Sequence, residues 1–343
     1  MAKKIGLVTL SLFLLVAFGS TARGQEFYNN KTIRIVVGFS PGGGMDIYAR
    51  AIGRHLGKNI PGKPNVIVEN MPGAGSLIAA NYLYKQAKPD GLTIGSWIGG
   101  LVLQQVIGGQ KGIEFDARKF EWIGVPAGDS SSCAVTKAGG VTSIEQWFAA
   151  KTPVKIGAMA PGSVTSDIPK ILKAALNLPI QVVEGYKGTA EIRVAADSGE
   201  VDGGCWGWET IKIMWRQGLD VGNTKVLIQM LPKRHPDLPA VPNALELAKT
   251  EDARQLIKIG IVDPATMVRA LSLPPGTPKD RVKILRDAFM ATIKDPQFLA
   301  EAKTAKLDLN PMSGDEVEKI VHGFFALEPR AVAKLKDVVM SKH

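Results

Sequence analysis

Cysteine is scarce in this chain, with Cys133 and Cys205 the only two among 343 residues. That excludes a mini-protein stapled by several disulfides. Histidine is scarce too: His55, His235, His322 and His343 lie far apart, with no metal-ligand spacing. Charged residues make up 22%, and although the formal charge is +10, Lys and Arg are scattered with no dense basic tract. A nucleic-acid partner is therefore excluded, while a mildly basic surface suits a small anionic ligand. Gly (37) and Pro (21) fall in the ordinary globular range, which rules out a collagen-like or disordered chain.

Long apolar runs are confined to the N-terminus. Lys3 and Lys4 precede an apolar stretch from Ile5 to Phe18, and small residues follow through Gly24. Charge, apolar core and small-residue site in that order read as a secretory signal, residues 1–24. The run is short of the roughly 20 residues a spanning helix needs. Export places Cys133 and Cys205 in an oxidising compartment, either as one disulfide or as two buried thiols. A core of this size holds without a staple.

The remainder reads as α/β. Ile33, Ile35, Val36 and Val37 form an apolar β-branched strand that runs into Ser40-Pro41-Gly42-Gly43-Gly44. A helix follows with Tyr48, Ile52 and Leu56 on one stripe. Val66 to Val68 is a second strand, entering Pro72-Gly73-Ala74-Gly75-Ser76 and another helix. The middle of the chain repeats the unit. Strand Val154 to Ala158 enters Ala160-Pro161-Gly162-Ser163 and a helix bearing Ile168 and Leu172, with Pro169 expected in its first turn. Strand Ile180 to Val183 then enters Gly185 to Thr189. In such sheets ligands bind beyond the carboxyl ends of the strands. Further on, Ala270 to Leu273 reads as a short strand. Thr277-Pro278-Lys279-Asp280 and Ser313…Glu316 each have the spacing of a helix-capping box.

The chemistry these residues support is binding rather than catalysis. Gly38-Phe39-Ser40-Pro41-Gly42 fits the G-x-S-x-G pattern of a hydrolase nucleophile. However, Pro41 stands where the oxyanion-binding N–H is needed and has none. Neither glycine loop completes a phosphate-binding motif. No catalytic residue, metal or cofactor is indicated. Loops that open helices do present unpartnered N–H groups beside the positive end of the helix dipole, and a carboxylate suits them.

KTIRIVV (31–37), FSPGGGMD (39–46), VENMPGAGS (68–76), KPDGLTIG (88–95), APGS (160–163), YKGTAE (186–191), GEVDGG (199–204), HPDLPAVPNALEL (235–247) and PPGTPKD (274–280) occur in that order. Together they resemble the tripartite tricarboxylate receptor, or Bug, family of periplasmic solute-binding proteins. The resemblance implies a two-lobed α/β fold of the type II periplasmic-binding-protein class, with a ligand cleft between domains. Domain 1 would comprise 25–128 and 240–343, and domain 2 would comprise 129–239. It implies a monomeric periplasmic receptor that captures a small carboxylate by lobe closure and hands it to an integral-membrane permease. A solute sensor docking on a signalling partner is the alternative, and a secreted serine hydrolase stands further off.

Carried over by position, the binding residues are Phe39, Ser40, Gly42, Gly43, Asp46, Gly73, Ala74 and Ser76, with Ser96 and Trp97 walling the cleft. The middle of the chain supplies Gly162, Ser163, Ser166, Tyr186, Gly188 and Thr189, with Asp202 fixing a strand-end loop. Asp46 reads more as an N-cap side chain holding its loop than as a ligand contact. Two departures stand out: Met45 replaces a usual hydroxyl residue and Met71 an often basic one. Trp97, Trp206 and Trp208 either line a flat apolar slot or pack in the core.

Overall fold

The computed structural model describes residues 27–42, 44–109, 111–159 and 163–340. The expected leader lies outside them. The strands, in chain order, are β1 (Thr32–Val37), β2 (Asn65–Asn70), β3 (Thr93–Ser96), β4 (Glu121–Val125), β5 (Ser131–Thr136), β6 (Val154–Ala158), β7 (Ile180–Glu184), β8 (Gly203–Gly207), β9 (Thr224–Gln229), β10 (Leu271–Leu273) and β11 (Met312–Ser313). They form two separate sheets with helices, one in each of two compact units. The first unit comprises the chain up to Ile98, Glu114–Pro126 and Arg269–Lys319. The second comprises Gly99–Ile113, Ala127–Val268 and the chain from Ile320 on.

The first sheet has the order β11-β4-β10-β3-β1-β2, with β1, β2 and β3 parallel. β1 lies between β3 and the edge strand β2 and reads as a near-continuous apolar run because most of its residues are buried. Ile33, Ile35 and Val37 pack with Ile52, Leu56, Phe289 and Phe298 in one core cluster. The helix Gly44–Leu56 lies close on β2, and a side chain at Gly53 would press against Val66 and Val68. The second sheet has the order β7-β6-β8-β5-β9, with β7, β6 and β8 parallel and β5 antiparallel to both its neighbours. Its core gathers Ala134, Ile192, Val201, Trp206 and Trp215.

The cysteines are joined. Cys133 and Cys205 lie directly opposite each other on adjacent strands β5 and β8 and form a disulfide. Two helix starts differ from expectation. The helix Lys279–Lys294 begins one residue later than the capping-box spacing implies, and the Thr277 hydroxyl donates to the Pro274 carbonyl instead of capping it. Pro169 lies in the second turn of the helix Val164–Leu176, not the first, so one carbonyl of the preceding turn goes without its usual N–H. The Ser313–Glu316 box does form: each residue accepts the other's backbone N–H. No helix among the described residues is long and apolar enough to cross a membrane.

Candidate functional site

In the first unit, the register places Val37, Asn70 and Ser96 level at the carboxyl ends of β1, β2 and β3. The loops 38–44 and 71–76 therefore leave the sheet side by side. They touch closely: a Cβ on Gly38 would come within 2.3 Å of the Ser76 Cβ, so only glycine fits there. Asp46, 2% exposed, braces the first loop. Its Oδ2 accepts the Gly42 N–H at 2.9 Å, and Arg50 Nε reaches both carboxylate oxygens at 3.0 and 2.9 Å. Asn70 Nδ2 donates to Asp46 Oδ1 at 2.8 Å and to the Phe39 carbonyl at 2.9 Å, while its Oδ1 accepts from Arg50. Burial pushes the Asp46 carboxyl up, but Arg50, the Gly42 N–H and Asn70 outweigh it and hold it at about 2. Asp46 is the third residue of the helix Gly44–Leu56 and not its N-cap, but its carboxylate does reach back to the loop and links it to β2 and the helix.

The second loop is left-handed. Gly73 (φ 141°), Ala74 (47°), Gly75 (62°) and Ser76 (72°) are four consecutive positive-φ residues. For Ala74 and Ser76 that conformation costs roughly 1–2 kcal/mol each. It is held because the buried Ser76 hydroxyl accepts the Ile98 N–H at 3.0 Å. Strain of this kind collects at binding loops. Ser76→Ala keeps the strain and removes the acceptor. It should cost about 1–2 kcal/mol and speed hydrogen exchange at the Ile98 amide, and unchanged exchange there would show that the hydroxyl does not hold the loop.

Ser40, Gly42 and Ala74 are exposed along this edge, while Phe39 and Gly73 are half-buried. Gly43 lies outside the described residues. The Ser96 carbonyl accepts the Gly38 N–H. Trp97 is fully buried: its ring packs against Phe115, Phe120 and Trp122, and its N–H donates to Ser272 Oγ at 2.9 Å. The structure thus gives this ring to the core of its unit rather than to a wall of a cleft.

In the second unit, Ala158 and Glu184 are level at the ends of β6 and β7. Gly162 and the residues before it in that loop lie outside the described residues. Ser163 stands at the N-cap position without a side-chain cap bond; its hydroxyl is 3.0 Å from Thr165 Oγ1, which accepts the Met159 N–H. Ser166 is fully buried and donates to Glu184 Oε1 at 2.6 Å, beside the buried Lys170 that pairs with the same oxygen. Gly188 and Thr189 start the next helix, Thr189–Asp197. Tyr186 packs on the core cluster and donates its hydroxyl to Glu200 at 2.6 Å; burial first, then that carboxylate, push its hydroxyl up to about 12.

Asp202 is on the opposite edge. It precedes β8, and its carboxylate accepts the N–H of Lys155 near the start of the parallel strand β6 at 2.7 Å. A residue one position before a strand begins cannot reach that strand's carboxyl end, so Asp202 is removed from the glycine-loop cluster. Trp206, 4% exposed, stacks on Trp215 with ring centroids 5.1 Å apart. Its ring also lies over Gly204, where a Cβ would meet it at 2.1 Å. Trp208 is buried as well and donates to Asp237. Of the two readings of these tryptophans, packing in the core is the one observed.

Two features had no signal in the sequence. Arg269, 8% exposed, lies over the Tyr48 ring at 4.7 Å and beside Gly44. Asp129 and Glu209 both crowd Gly207 at the carboxyl end of β8; a Cβ there would meet Asp129 Cγ and Glu209 Oε2 at 2.9 Å each. Burial, and then Asp129, raise the Glu209 carboxyl above its usual range, although it accepts the Ser130 N–H. No group of three or more His, Cys, Asp and Glu that could hold a metal occurs among the described residues.

Two α/β units, each with parallel strands whose carboxyl-end loops open helices, are the architecture of the periplasmic-binding-protein fold. The chain belongs to the tripartite tricarboxylate transporter family of receptors, whose family model matches residues 49–335. Solved structures similar to it include the periplasmic binding protein BugD, at 22% identity with a TM-score of 0.67 over 91% of this chain and 98% of that one. MatC from Rhodopseudomonas palustris with bound malate is similar at 22% identity and a TM-score of 0.63 over 90% and 99%. The R. palustris protein Rpa4515 with adipate is similar at 22% identity and a TM-score of 0.66 over 89% and 97%.

Proposed function

We propose that this protein is a periplasmic receptor that captures a small carboxylate by closure of its two lobes and delivers it to an integral-membrane permease of the tripartite tricarboxylate type. The observation that carries the reading is the corner built on Asp46. Its side-chain network is spent on holding loop 38–44 against β2. Phe39 and Gly42 are thereby anchored through their main-chain groups, which lowers the ordering cost of binding there. A carboxylate fits main-chain N–H groups at the start of a helix. Similar proteins hold malate and adipate, both carboxylates. Phe39, Ser40, Gly42, Gly43, Gly73 and Ala74 are the proposed contacts in the first lobe. Gly162, Ser163, Gly188 and Thr189 are those in the second. Asp46, Ser76 and Ser166 hold the loops.

Thermal unfolding against a panel of mono-, di- and tricarboxylates tests this. The protein is first unfolded, dialysed and refolded with its disulfide intact, to remove retained ligand. A specific ligand at one hundred times its Kd stabilises the fold by about 2.7 kcal/mol. A shift confined to one carboxylate class is expected. A refolded protein that no carboxylate shifts would refute the assignment.

A further inference from the structure

We infer that Asp129, Glu209 and Ser131, all in the second unit, form a site for a primary ammonium group. The site does not depend on the carboxylate reading above. β5 and β8 run antiparallel, with Ser131 directly opposite Gly207 and Cys133 opposite Cys205. Directly opposite residues of such a pair put their side chains on the same face. The Ser131 hydroxyl therefore shares a face with the disulfide and with the groups that stand over Gly207. Those groups are two carboxylates. A Cβ on Gly207 would meet Asp129 Cγ and Glu209 Oε2 at 2.9 Å each and Asp129 Oδ1 at 3.0 Å. Gly207 ends β8, which runs parallel to β6, so the three residues lie at the carboxyl edge of the sheet. That is the edge where ligands of such sheets bind.

Two of these groups are poorly served by the protein itself. Ser131 is 1% exposed, and its hydroxyl has no hydrogen-bond partner. A buried hydroxyl left unpaired is costly. Glu209 accepts the Ser130 N–H, which is 3.2 Å from each of its oxygens and long for a bond to a charged acceptor. Burial, and then the neighbouring Asp129, raise the Glu209 carboxyl above its usual range. A positive charge beside the pair relieves that repulsion. Both acids are half-buried, so the site is within reach of solvent.

The number and kind of acceptors select the cation. An ammonium group carries three N–H donors and no acceptor. Asp129, Glu209 and the Ser131 hydroxyl offer it two charged acceptors and one neutral one. Calcium takes about six to eight oxygens, and magnesium demands a near-ideal octahedron. No third His, Cys, Asp or Glu joins the pair in a metal-holding group among the described residues.

Thermal unfolding of the whole protein, disulfide intact, tests this in methylammonium, tetramethylammonium and sodium chlorides at equal concentration. Methylammonium has the N–H donors, and tetramethylammonium has the charge without them. The midpoint should rise saturably with methylammonium and move no more in tetramethylammonium than in sodium chloride. Ser131→Ala deletes the neutral acceptor and should weaken methylammonium binding about fivefold. Glu209→Gln keeps an oxygen for the Ser130 N–H but removes the charge. It should raise the midpoint in the absence of any amine, because the like-charge repulsion is gone, and weaken methylammonium about tenfold. Equal shifts by methylammonium and tetramethylammonium, or variants that respond to methylammonium as the wild type does, would overturn the inference. Ammonium chloride acting as strongly as methylammonium would keep the site and assign it to the free ion. Tighter binding of methylammonium would assign it to an amine-bearing solute. The carboxylate panel reads a different ligand group, so either reading can fail while the other stands.

Discussion

Reducing the Cys133–Cys205 bond should lower the melting temperature of the second unit by roughly 10 °C. The two residues are 72 apart in sequence, and the bond closes that loop in the unfolded chain. Loop-closure entropy for a loop of this length is worth about 4 kcal/mol. For a unit of this size, each kcal/mol moves the midpoint by about 2–4 °C. Both sulfurs lie in the middle of the sheet, on strands that pair with each other and with β6 and β9, so the bond joins the strands that hold the unit together. Reduction removes no side-chain volume, which makes it a cleaner comparison than replacement by alanine. The measurement is scanning calorimetry with and without reductant, with free thiols counted to confirm that the bond has opened. An unchanged midpoint in protein with two titratable thiols would show that the unfolded chain is already restrained between these strands.

How much of this was legible in the sequence depends on how local each signal is. The strands β1, β2, β6 and β7 were readable from β-branched runs ending in glycine clusters, because both signals sit within a dozen residues. The Ser313–Glu316 box was readable for the same reason. The one at Thr277 failed because Pro274 offers that hydroxyl a carbonyl three residues back. The disulfide was left open, since pairing depends on the register of strands 72 residues apart. Asp202 was placed at the wrong end of its strand: it precedes β8 rather than following a strand, and Gly-Glu-Val-Asp-Gly-Gly does not show on which side of it the strand lies. The tryptophans turned on packing. Glycine at 204 makes room for an indole over the sheet, and that relation between alternate residues of a strand becomes visible only when the strand's faces are known. Asp129 and Glu209 meet only because β5 and β8 are antiparallel neighbours. Similarly, a carboxylate near a helix start that holds its loop was readable at Asp46, but its place inside the helix rather than at the N-cap, and its partners Asn70 and Arg50, were not.

That network yields the second large effect. Asp46→Ala should destabilise the first unit by about 3 kcal/mol at neutral pH, because it strands groups that its carboxylate now satisfies: the Gly42 N–H, one Asn70 donor and the Arg50 guanidinium. The charge is central, and the pH dependence shows it. In the unfolded chain an aspartate titrates near 3.9, whereas here Arg50, Gly42 and Asn70 hold it at about 2 against burial. A depressed carboxyl contributes stability that is fully present above the unfolded value and is lost as pH falls through the folded one. The Asp46→Asn variant keeps the side chain's size but not its charge. The stability gap between wild type and Asp46→Asn should therefore be about 2 kcal/mol at pH 5 and shrink steadily toward pH 2. Denaturant unfolding at a series of pH values measures it. A gap independent of pH would mean that shape, and not ionisation, holds the corner. The same variants separate loop geometry from bulk stability. Because loop 38–44 depends on this carboxylate for its position, Asp46→Asn should lose ligand affinity even at temperatures where it is fully folded. Ser76→Ala, which loosens the neighbouring loop, should lose affinity by a smaller factor, since it removes one hydrogen bond where Asp46→Asn weakens several.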